Sequence, residues 1–208
     1  MIIVPVERES HMVSRSAASD VPELVELLAL AFDDDPIVNW FVRQDSRRHQ
    51  AMRHFFDLAL RRQTLPHNEV YHYEGLKGVA LWAPPNRWSL SWRDQLQLAP
   101  AIVAIASWMG IPRALQGLQA MEHAHPTEPH VYLSFLCTHP DHRGEGVGTT
   151  LLTDMLRRCD RGALPVYLEN TKPENEAFYR HHGFRVTGDI RLGPEAPAYY
   201  AAMWRDPC

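Results

Sequence analysis

One stretch, residues 131–149, constrains the fold of this chain more than any other. Residues 131–137, VYLSFLC, are mostly β-branched, aromatic and apolar, which predicts a largely buried strand. A turn with glycines at 144, 146 and 148 follows, and apolar residues then recur from Val147 to Cys159 at the spacing of one helix face. Because glycines let a backbone approach a ligand and a helix start has free N–H groups, this strand–turn–helix unit predicts a site for a phosphate-like anion.

The glycine turn fits one of three phosphate-binding patterns. A P-loop would need a lysine after the last glycine, and a dinucleotide fingerprint would need glycines spaced two and then three apart; neither is present. The segment Arg143-x-x-Gly146-x-Gly148 instead resembles the Arg/Gln-x-x-Gly-x-Gly/Ala turn with which the GNAT superfamily of N-acetyltransferases holds the pyrophosphate of acetyl-coenzyme A (acetyl-CoA). Taken alone, the hexapeptide also fits a turn that only caps a helix.

Composition limits the class of protein. A chain of 208 residues with 45% hydrophobic and 22% charged residues is typical of one folded globular domain, and a net charge of -4 disfavours nucleic-acid binding. The three cysteines, Cys137, Cys159 and Cys208, have neither disulfide nor metal-ligand spacing, which favours a reducing cytoplasm. The most apolar run, residues 96–109, is too short for a bilayer and predicts a buried helix or a lid.

The order of predicted elements is consistent with an α/β fold. Asp20 and Glu23 form a capping-box-like start to a helix that ends at Asp33-Asp34-Asp35-Pro36. The later elements are a helix over 46–63, strands over 69–73 and 78–82, helices over 89–123 with a break near 110–112, a strand over 165–169, a helix over 173–182, and strands over 184–192 and 198–204.

From residue 125 to 207 the chain resembles the puromycin N-acetyltransferase branch of that superfamily. The matching motifs are Glu128-Pro129, Pro140-Asp141-His142, Tyr167-Leu168-Glu169 and Phe178-Tyr179-x-x-x-Gly183-Phe184, with fainter matches at Ala80-Leu81-Trp82 and Ala31-Phe32-x-x-Asp35-Pro36. The resemblance implies the GNAT acyl-CoA acyltransferase fold, α/β (α+β), with a mixed central sheet of about six to seven strands flanked by helices. It divides residues 12–208, a predicted single domain, into acceptor-side helices over 20–123 and an acetyl-CoA core over 128–182. Residues 1–11 are interpreted as a non-native or flexible segment.

The implied reaction moves an acetyl group from acetyl-CoA to a primary amine by direct attack in a ternary complex. This chemistry needs a neutral amine, a polarised thioester carbonyl and a proton donor for the leaving thiolate. The implied acceptor is a small molecule, such as an antibiotic or another secondary metabolite. A protein or peptide acetyltransferase and a non-catalytic acyl-CoA sensor remain alternatives. The expected protein is a monomer or homodimer that binds no metal, nucleic acid or membrane.

The resemblance also implies which residues contact the co-substrate. The pyrophosphate contacts fall on Arg143, Gly144, Glu145, Gly146, Val147, Gly148 and Thr149, mostly through backbone N–H groups. Glu145 would repel phosphates unless its side chain faces solvent. Leu136, Cys137 and Thr138 would align the pantetheine arm, and they would also suit an ordinary core strand. Asn170 and Asn175 would either hydrogen-bond the co-substrate or cap the following turn and helix.

Two residues carry the implied catalysis. Tyr179 is the candidate general acid, because the family's thiolate donor is a tyrosine on this helix; a packing tyrosine is the alternative. Glu169 ends its strand where the acceptor would enter and is the candidate base, with a solvated carboxylate or an anchor for the substrate ammonium as alternatives.

Residues on the acceptor side suggest a binding cleft. Asp33, Asp34 and Asp35 could hold a cationic amine, although a solvated acidic helix end fits them better. The chain is also rich in tryptophans that could line a cleft for a large, partly apolar amine, namely Trp40, Trp82, Trp88, Trp92 and Trp108.

Overall fold

A mixed seven-stranded sheet lies at the centre of the computed structural model, which describes residues 12–88, 92–193 and 195–208, the side chains of 92–99 excepted. The strands are β1 (Val13–Arg15), β2 (Val70–Tyr73), β3 (Gly78–Ala83), β4 (Val131–Thr138), β5 (Val166–Asn170), β6 (Arg185–Asp189) and β7 (Ala201–Arg205), in the spatial order β1-β2-β3-β4-β5-β7-β6. This architecture confirms the predicted fold class. The predicted N-terminal segment, residues 1–11, lies outside the described residues.

Helices cover both faces of the sheet. They are α1 (Val21–Ala31), α2 (Pro36–Phe41), α3 (Arg48–Leu58), α4 (Trp92–Ala124), α5 (Val147–Arg161) and α6 (Glu176–His181), and a π-helical segment, Ala59–Thr64, continues α3. Side chains alternate between the two faces along β3: Val79 and Leu81 pack with α1 and α3, whereas Trp82 packs with α5. The core therefore consists of two layers separated by the sheet.

The β4–α5–β5 crossover positions the predicted anion site. β4 and β5 run parallel and pair only from Val131 to Leu133 with Val166 to Leu168, and β4 is antiparallel to β3 on its other side. Residues 133 and 135 face consecutive residues of β3, so Ser134 is the extra residue of a β-bulge. Beyond the bulge, β4 and β5 diverge and leave a cleft between them.

The start of α1 differs from the predicted capping box. Asp20 Oδ2 accepts a hydrogen bond from the Ala17 N–H at 2.8 Å, so its side chain closes the preceding 3₁₀ turn and gives α1 no side-chain cap. Pro22 in the first turn of α1 lacks only an N–H that a helix start leaves unpaired, as expected.

Helix α4 corrects two expectations. Its non-helical residue is Ser107, with φ 57°, not the predicted site at 110–112. The ring of Pro112 clashes with the carbonyl four residues earlier and removes one helical hydrogen bond, so the distortion falls about one turn before the proline. The helix is also only partly buried: Ile105 and Ala106 lie in the core, whereas Trp108 and Met109 are 79% and 89% exposed, and the alternative of a lid stays a prediction.

The same helix is apolar enough to be tested as a membrane span. Within the described residues, Pro100–Ala124 alone meets the criteria of length and composition, and 17% of its most apolar window is buried. Core helices of soluble proteins and spanning helices share these two properties. The expectation of no membrane partner therefore stays a prediction.

Candidate active site

The divergence of β4 and β5 opens a cavity of about 660 Å³ that contains most of the predicted site residues. Its wall runs from the glycine turn, past the bulge of β4, to Glu169 at the end of β5 and to Tyr179 on α6. Residues that lie far apart in the sequence therefore share one space. Such a cavity at diverging parallel strands is a common ligand site in sheets of this kind.

The glycine turn presents backbone N–H groups to this cavity. Gly144 and Gly146 have φ of +85° and +79°, a left-handed backbone that glycine adopts without steric cost. Five backbone N–H groups of the turn and the start of α5 have no backbone acceptor within the described part of the chain, namely those of Gly144, Gly146, Val147, Gly148 and Thr149. Arg143 lines the same wall. Free N–H groups beside a guanidinium suit a diphosphate.

Glu145, the one acidic residue of the turn, is held by a histidine and a lysine. His142 Nδ1 lies 3.0 Å from its Oε1, and Lys77 Nζ donates to its Oε2 at 3.2 Å. These two hydrogen bonds lower the pKa of the Glu145 carboxyl. Glu145 does not line the cavity, so its negative charge lies outside the predicted phosphate site. This agrees with the expectation that its side chain faces away from the phosphates.

The cavity-facing edge of β4 retains unused polar groups. Ser134 Oγ lines the cavity and is buried without a hydrogen-bond partner. The stretch 134–138, which includes the predicted residues Leu136, Cys137 and Thr138, has β3 on one side and no paired strand on the other in the described structure. This orphaned hydroxyl and the unpaired edge fit an extended, hydrogen-bonding arm such as pantetheine. Burial raises the pKa of the Cys137 thiol to about 12, so this thiol stays uncharged in the cavity wall.

Tyr179 stands in the cavity wall as a protonated phenol. Burial, followed by the charge of Asp35, raises the pKa of its hydroxyl well above the usual value. Within the described residues, the hydroxyl has no hydrogen-bond partner, whereas the ring packs against Phe178 and Phe184. A phenol that is kept protonated and faces the cavity can donate a proton to a ligand.

Glu169 also lines the cavity, with a side chain only 4% exposed. Its Oε2 accepts hydrogen bonds from the hydroxyls of Tyr132 at 2.7 Å and Tyr200 at 3.4 Å. Its Oε1 is buried and has no hydrogen-bond partner. This environment contradicts the alternative of a solvated strand-end carboxylate, because the group is enclosed and reaches only the cavity.

Two histidines next to Glu169 escaped the sequence analysis. His125 Nδ1 lies 3.8 Å from Glu169 Oε1, and His125 Nε2 lies 2.9 Å from His130 Nε2. Trp88 stacks on the His125 ring with centroids 3.6 Å apart. Both histidines are buried. A pair of neighbouring histidines among prolines was the available signal, but no sequence rule links it to a glutamate on the next strand.

The two candidate asparagines differ in their environment. Asn170 is buried; its amide donates to the Tyr199 hydroxyl at 2.9 Å, and its Oδ1 accepts from the Lys172 N–H at 3.3 Å. These bonds correspond to the predicted capping of the following turn. Asn175 is exposed, lines the cavity and makes no side-chain cap to α6. Its contact with the co-substrate stays a prediction.

The three aspartates after α1 form ion pairs or hydrogen bonds with other residues of the protein. Asp33 pairs with Arg48 at 2.9 Å and Asp34 with Lys172 at 2.7 Å. Asp35 is buried and caps α2 by accepting from two backbone N–H groups, while the Thr171 hydroxyl donates to its other oxygen. Burial raises the pKa of the Asp35 carboxyl. The idea of a solvated acidic helix end is therefore wrong for Asp35, which connects α2 to the segment after β5.

Phenylalanines, not tryptophans, form the apolar part of the cavity. Phe32, Phe41, Phe55 and Phe135 line it, together with Tyr132 and Tyr200. None of the four tryptophans of the prediction whose side chains are described does so, and Trp92 lies outside that set. Trp82 is fully buried beneath the sheet and Trp108 faces solvent. The prediction that tryptophans line the cleft was therefore wrong, although aromatic residues do line it.

A comparison with protein families matches the part of the chain that holds the cavity residues. Residues 111–186 match the model of the "Acetyltransferase (GNAT) domain", and this range contains the turn, β4, β5 and both predicted catalytic residues. This part of the chain is similar to a GNAT acetyltransferase domain. The predicted enzyme class, an acetyltransferase that uses acetyl-CoA, is thereby confirmed, whereas the puromycin branch stays a prediction.

Solved structures of GNAT proteins share the fold over nearly the whole chain. A structure titled histone acetyltransferase HPA2 and related acetyltransferase, from Corynebacterium glutamicum, is 25% identical, with a TM-score of 0.72 over 95% of this chain and 96% of that one. Arylalkylamine N-acetyltransferase 2 from Aedes aegypti is 14% identical, with a TM-score of 0.61 over 93% and 97%. The paia N-acetyltransferase from Thermoplasma acidophilum, solved with coenzyme A, is 9% identical, with a TM-score of 0.52 over 93% and 97%.

Proposed function

We propose that this GNAT protein acetylates the primary amine of a small, partly apolar molecule by direct attack on acetyl-CoA. The observation that carries the proposal is that Tyr179 and Glu169 line the same cavity as the free N–H groups of the glycine turn. A proton donor, a proton acceptor and an anion cradle are the parts that acetyl transfer from a thioester requires. Together they favour an enzyme over a sensor that only binds acyl-CoA.

The proposed roles follow from the positions of the residues. Arg143 and the N–H groups of residues 144 and 146–149 hold the diphosphate, and the unpaired edge of β4 aligns the arm that carries the thioester. Glu169 takes a proton from the entering ammonium, which leaves a neutral amine. As the C–N bond forms and the C–S bond breaks, Tyr179 donates its proton to the departing thiolate and is reprotonated by solvent.

The acceptor class is inferred from the phenylalanine-lined part of the cavity. Phe32, Phe55 and Phe135 pack edge to face around this space and offer apolar surface without a free cation or anion. The three aspartates that could have bound a polycation are engaged by Arg48, Lys172 and α2. An amine with one apolar or aromatic part, such as an arylalkylamine or an aminonucleoside antibiotic, therefore fits better than a polyamine. The motif resemblance to the puromycin branch agrees with this class.

A panel assay tests the acceptor class. We expect thiol release from acetyl-CoA to be fastest with phenylethylamine and puromycin, and slower with spermidine, free amino acids and lysine-containing peptides. Exclusive activity on the polyamine would contradict the apolar acceptor. Exclusive activity on peptides would support the protein acetyltransferase alternative.

Binding and turnover measured together test the enzyme itself. Calorimetry should detect binding of acetyl-CoA, and the same preparation should release coenzyme A only when an amine is added. Binding with no release across the whole panel would favour the sensor.

We also propose that the protein works in the cytoplasm, which its three free thiols support. Fractionation of the source cells with an antibody to the chain checks the compartment.

A further inference from the structure

The arrangement of His125, His130 and Glu169 determines where their protons lie. His130 Nδ1 is 2.6 Å from the carbonyl oxygen of Glu128. A carbonyl can only accept, so His130 Nδ1 carries a hydrogen and donates it. In the neutral ring, His130 Nε2 is then an acceptor, and the 2.9 Å contact is a donation from His125 Nε2–H. His125 Nδ1 is consequently left without a hydrogen.

The same assignment explains the unpaired oxygen of Glu169. The bare lone pair of His125 Nδ1 faces the bare Oε1 of the carboxylate at 3.8 Å, and no hydrogen lies between them. Two acceptors repel, which accounts for a separation about 1 Å longer than a hydrogen bond. The buried chain of three groups is therefore one proton short of complete hydrogen bonding.

We propose that His125 and His130 form a proton relay that receives from Glu169 the proton released by the acceptor ammonium. This inference deepens the proposed function and rests on it. Glu169 passes the proton to His125 Nδ1, His125 Nε2–H moves to His130 Nε2, and the imidazolium at His130 then loses its Nδ1 hydrogen to water. Proton exchange with water restores the hydrogens on His125 Nε2 and His130 Nδ1 before the next turnover. The substrate nitrogen loses one proton, the solvent gains one, and Glu169 returns to its anionic form. The two histidines act through Glu169 and do not contact the substrate.

The surroundings of the relay direct the proton outward. Trp88 covers His125, whereas His130 lies beneath residues 127–129, which are exposed. Burial lowers the pKa of His130, so the imidazolium forms transiently and discharges readily. The other titratable groups that face the relay are Tyr132 and Tyr200 on Glu169, Tyr167 beside both imidazole rings, and the carboxylate of Glu128.

Glutamine variants separate relay from packing. His125→Gln and His130→Gln keep groups that can donate and accept hydrogen bonds but cannot pass a proton on. With acetyl-CoA and phenylethylamine at pH 7, we expect kcat to fall by about 10-fold or more while the KM for acetyl-CoA stays within about 2-fold. The deficit should shrink as the pH approaches about 10, where the amine enters the cavity already neutral. The control His72→Gln changes a partly buried histidine contact, to Ser16, outside the cavity and should behave as wild type.

A deficit that is the same at every pH, or unchanged kcat, would overturn the relay. Nitrogen-15 NMR of the histidine rings tests it without any acceptor: at neutral pH, His130 Nδ1 and His125 Nε2 should carry hydrogens and His125 Nδ1 none. A hydrogen on His125 Nδ1 would overturn the relay even if the variants are slow. Should a glutamine variant fail to fold, as judged by thermal melting, the NMR result decides. Wild-type protein that acetylates no amine would defeat the proposed function, and the ring assignment would still decide the relay.

Discussion

Tyr179 shows how burial and location turn an ordinary side chain into a proton donor. Its ring packs against two phenylalanines, and the residue lines the cavity together with the β4 edge. Because burial raises the pKa of this hydroxyl, it stays protonated across the physiological range and remains available as a proton donor. The family motif predicted this residue, but its lack of a hydrogen-bond partner among the described residues could be learned only from the fold.

Removal of the Tyr179 hydroxyl should slow the chemical step. Tyr179→Phe retains the ring contacts, so we expect kcat to fall by about 100-fold with the KM for acetyl-CoA nearly unchanged. Steady-state kinetics with acetyl-CoA as the varied substrate measure both. The matched control is Tyr73→Phe on β2, whose hydroxyl contacts Met12 outside the cavity, and it should retain full turnover. A Tyr179→Phe turnover equal to that of the wild type would exclude Tyr179 as the proton donor.

A change at Glu169 distinguishes a base from an anchor. Glu169→Gln keeps the size of the side chain and its bonds to the tyrosine hydroxyls, but it removes the basic carboxylate. We expect kcat to fall by about 100-fold near pH 7 and to recover in part at higher pH, where the free amine is abundant. An increase in the KM for the amine with unchanged kcat would instead indicate a substrate anchor. The exposed Glu23→Gln is the control.

At the scale of elements, the turn before α5 depends on backbone conformation more than on side chains. Apolar periodicity and the glycine spacing were sufficient to predict β4, the turn and α5, because all three obey local rules. The break in α4 was displaced from its predicted site because a proline acts on the carbonyl one turn earlier. Strand β1 was missed, since three residues at a sheet edge leave too short a pattern.

An alanine at position 146 should destabilise the glycine turn and weaken binding of acetyl-CoA. Gly146 has φ +79°, and no atom lies within 4 Å of the place that an added Cβ would take, so the cost is backbone strain alone, about 1–2 kcal/mol. We expect Gly146→Ala to lower the melting temperature and to reduce the affinity for acetyl-CoA several-fold, as measured by calorimetry. Gly188→Ala on β6 also meets no atom within 4 Å and has no positive φ. This control should bind acetyl-CoA as wild type does.

At the scale of the whole molecule, β4 and β5 pair at one end and diverge at the other, in a sheet that helices cover on both faces. The mixed sheet flanked by helices was predicted from the order of elements and the motif resemblance, whereas the spatial order of the strands and the two core layers were not. The aromatic residues and histidines around the cleft were not predicted either. Tryptophan positions could not be assigned to the cleft or to the core from spacing alone, and His125 meets Glu169 only after the crossover has formed.

Stability should depend on pH through the buried His130. Its pKa is lowered in the folded state by burial, so near pH 6 the unfolded chain binds a proton that the folded chain excludes. The contribution of His130 to stability is therefore complete above the unfolded value of about 6.5 and is lost as the pH falls below it. We expect the melting temperature to fall between pH 7 and about pH 5.5, and His130→Gln to flatten that slope. Identical slopes in calorimetric scans of the two proteins would contradict this.

The unpaired side of β4 beyond the Ser134 bulge also affects the order in which ligands bind. A strand that lacks a neighbour on one edge exchanges its amide hydrogens quickly and fluctuates on that side. Acetyl-CoA lying along this edge would serve as a surrogate strand and stiffen the wall against which the amine must be aligned. Binding should then be ordered, with the thioester first and the acceptor second, and deuterium uptake over residues 134–138 should slow when the first ligand arrives.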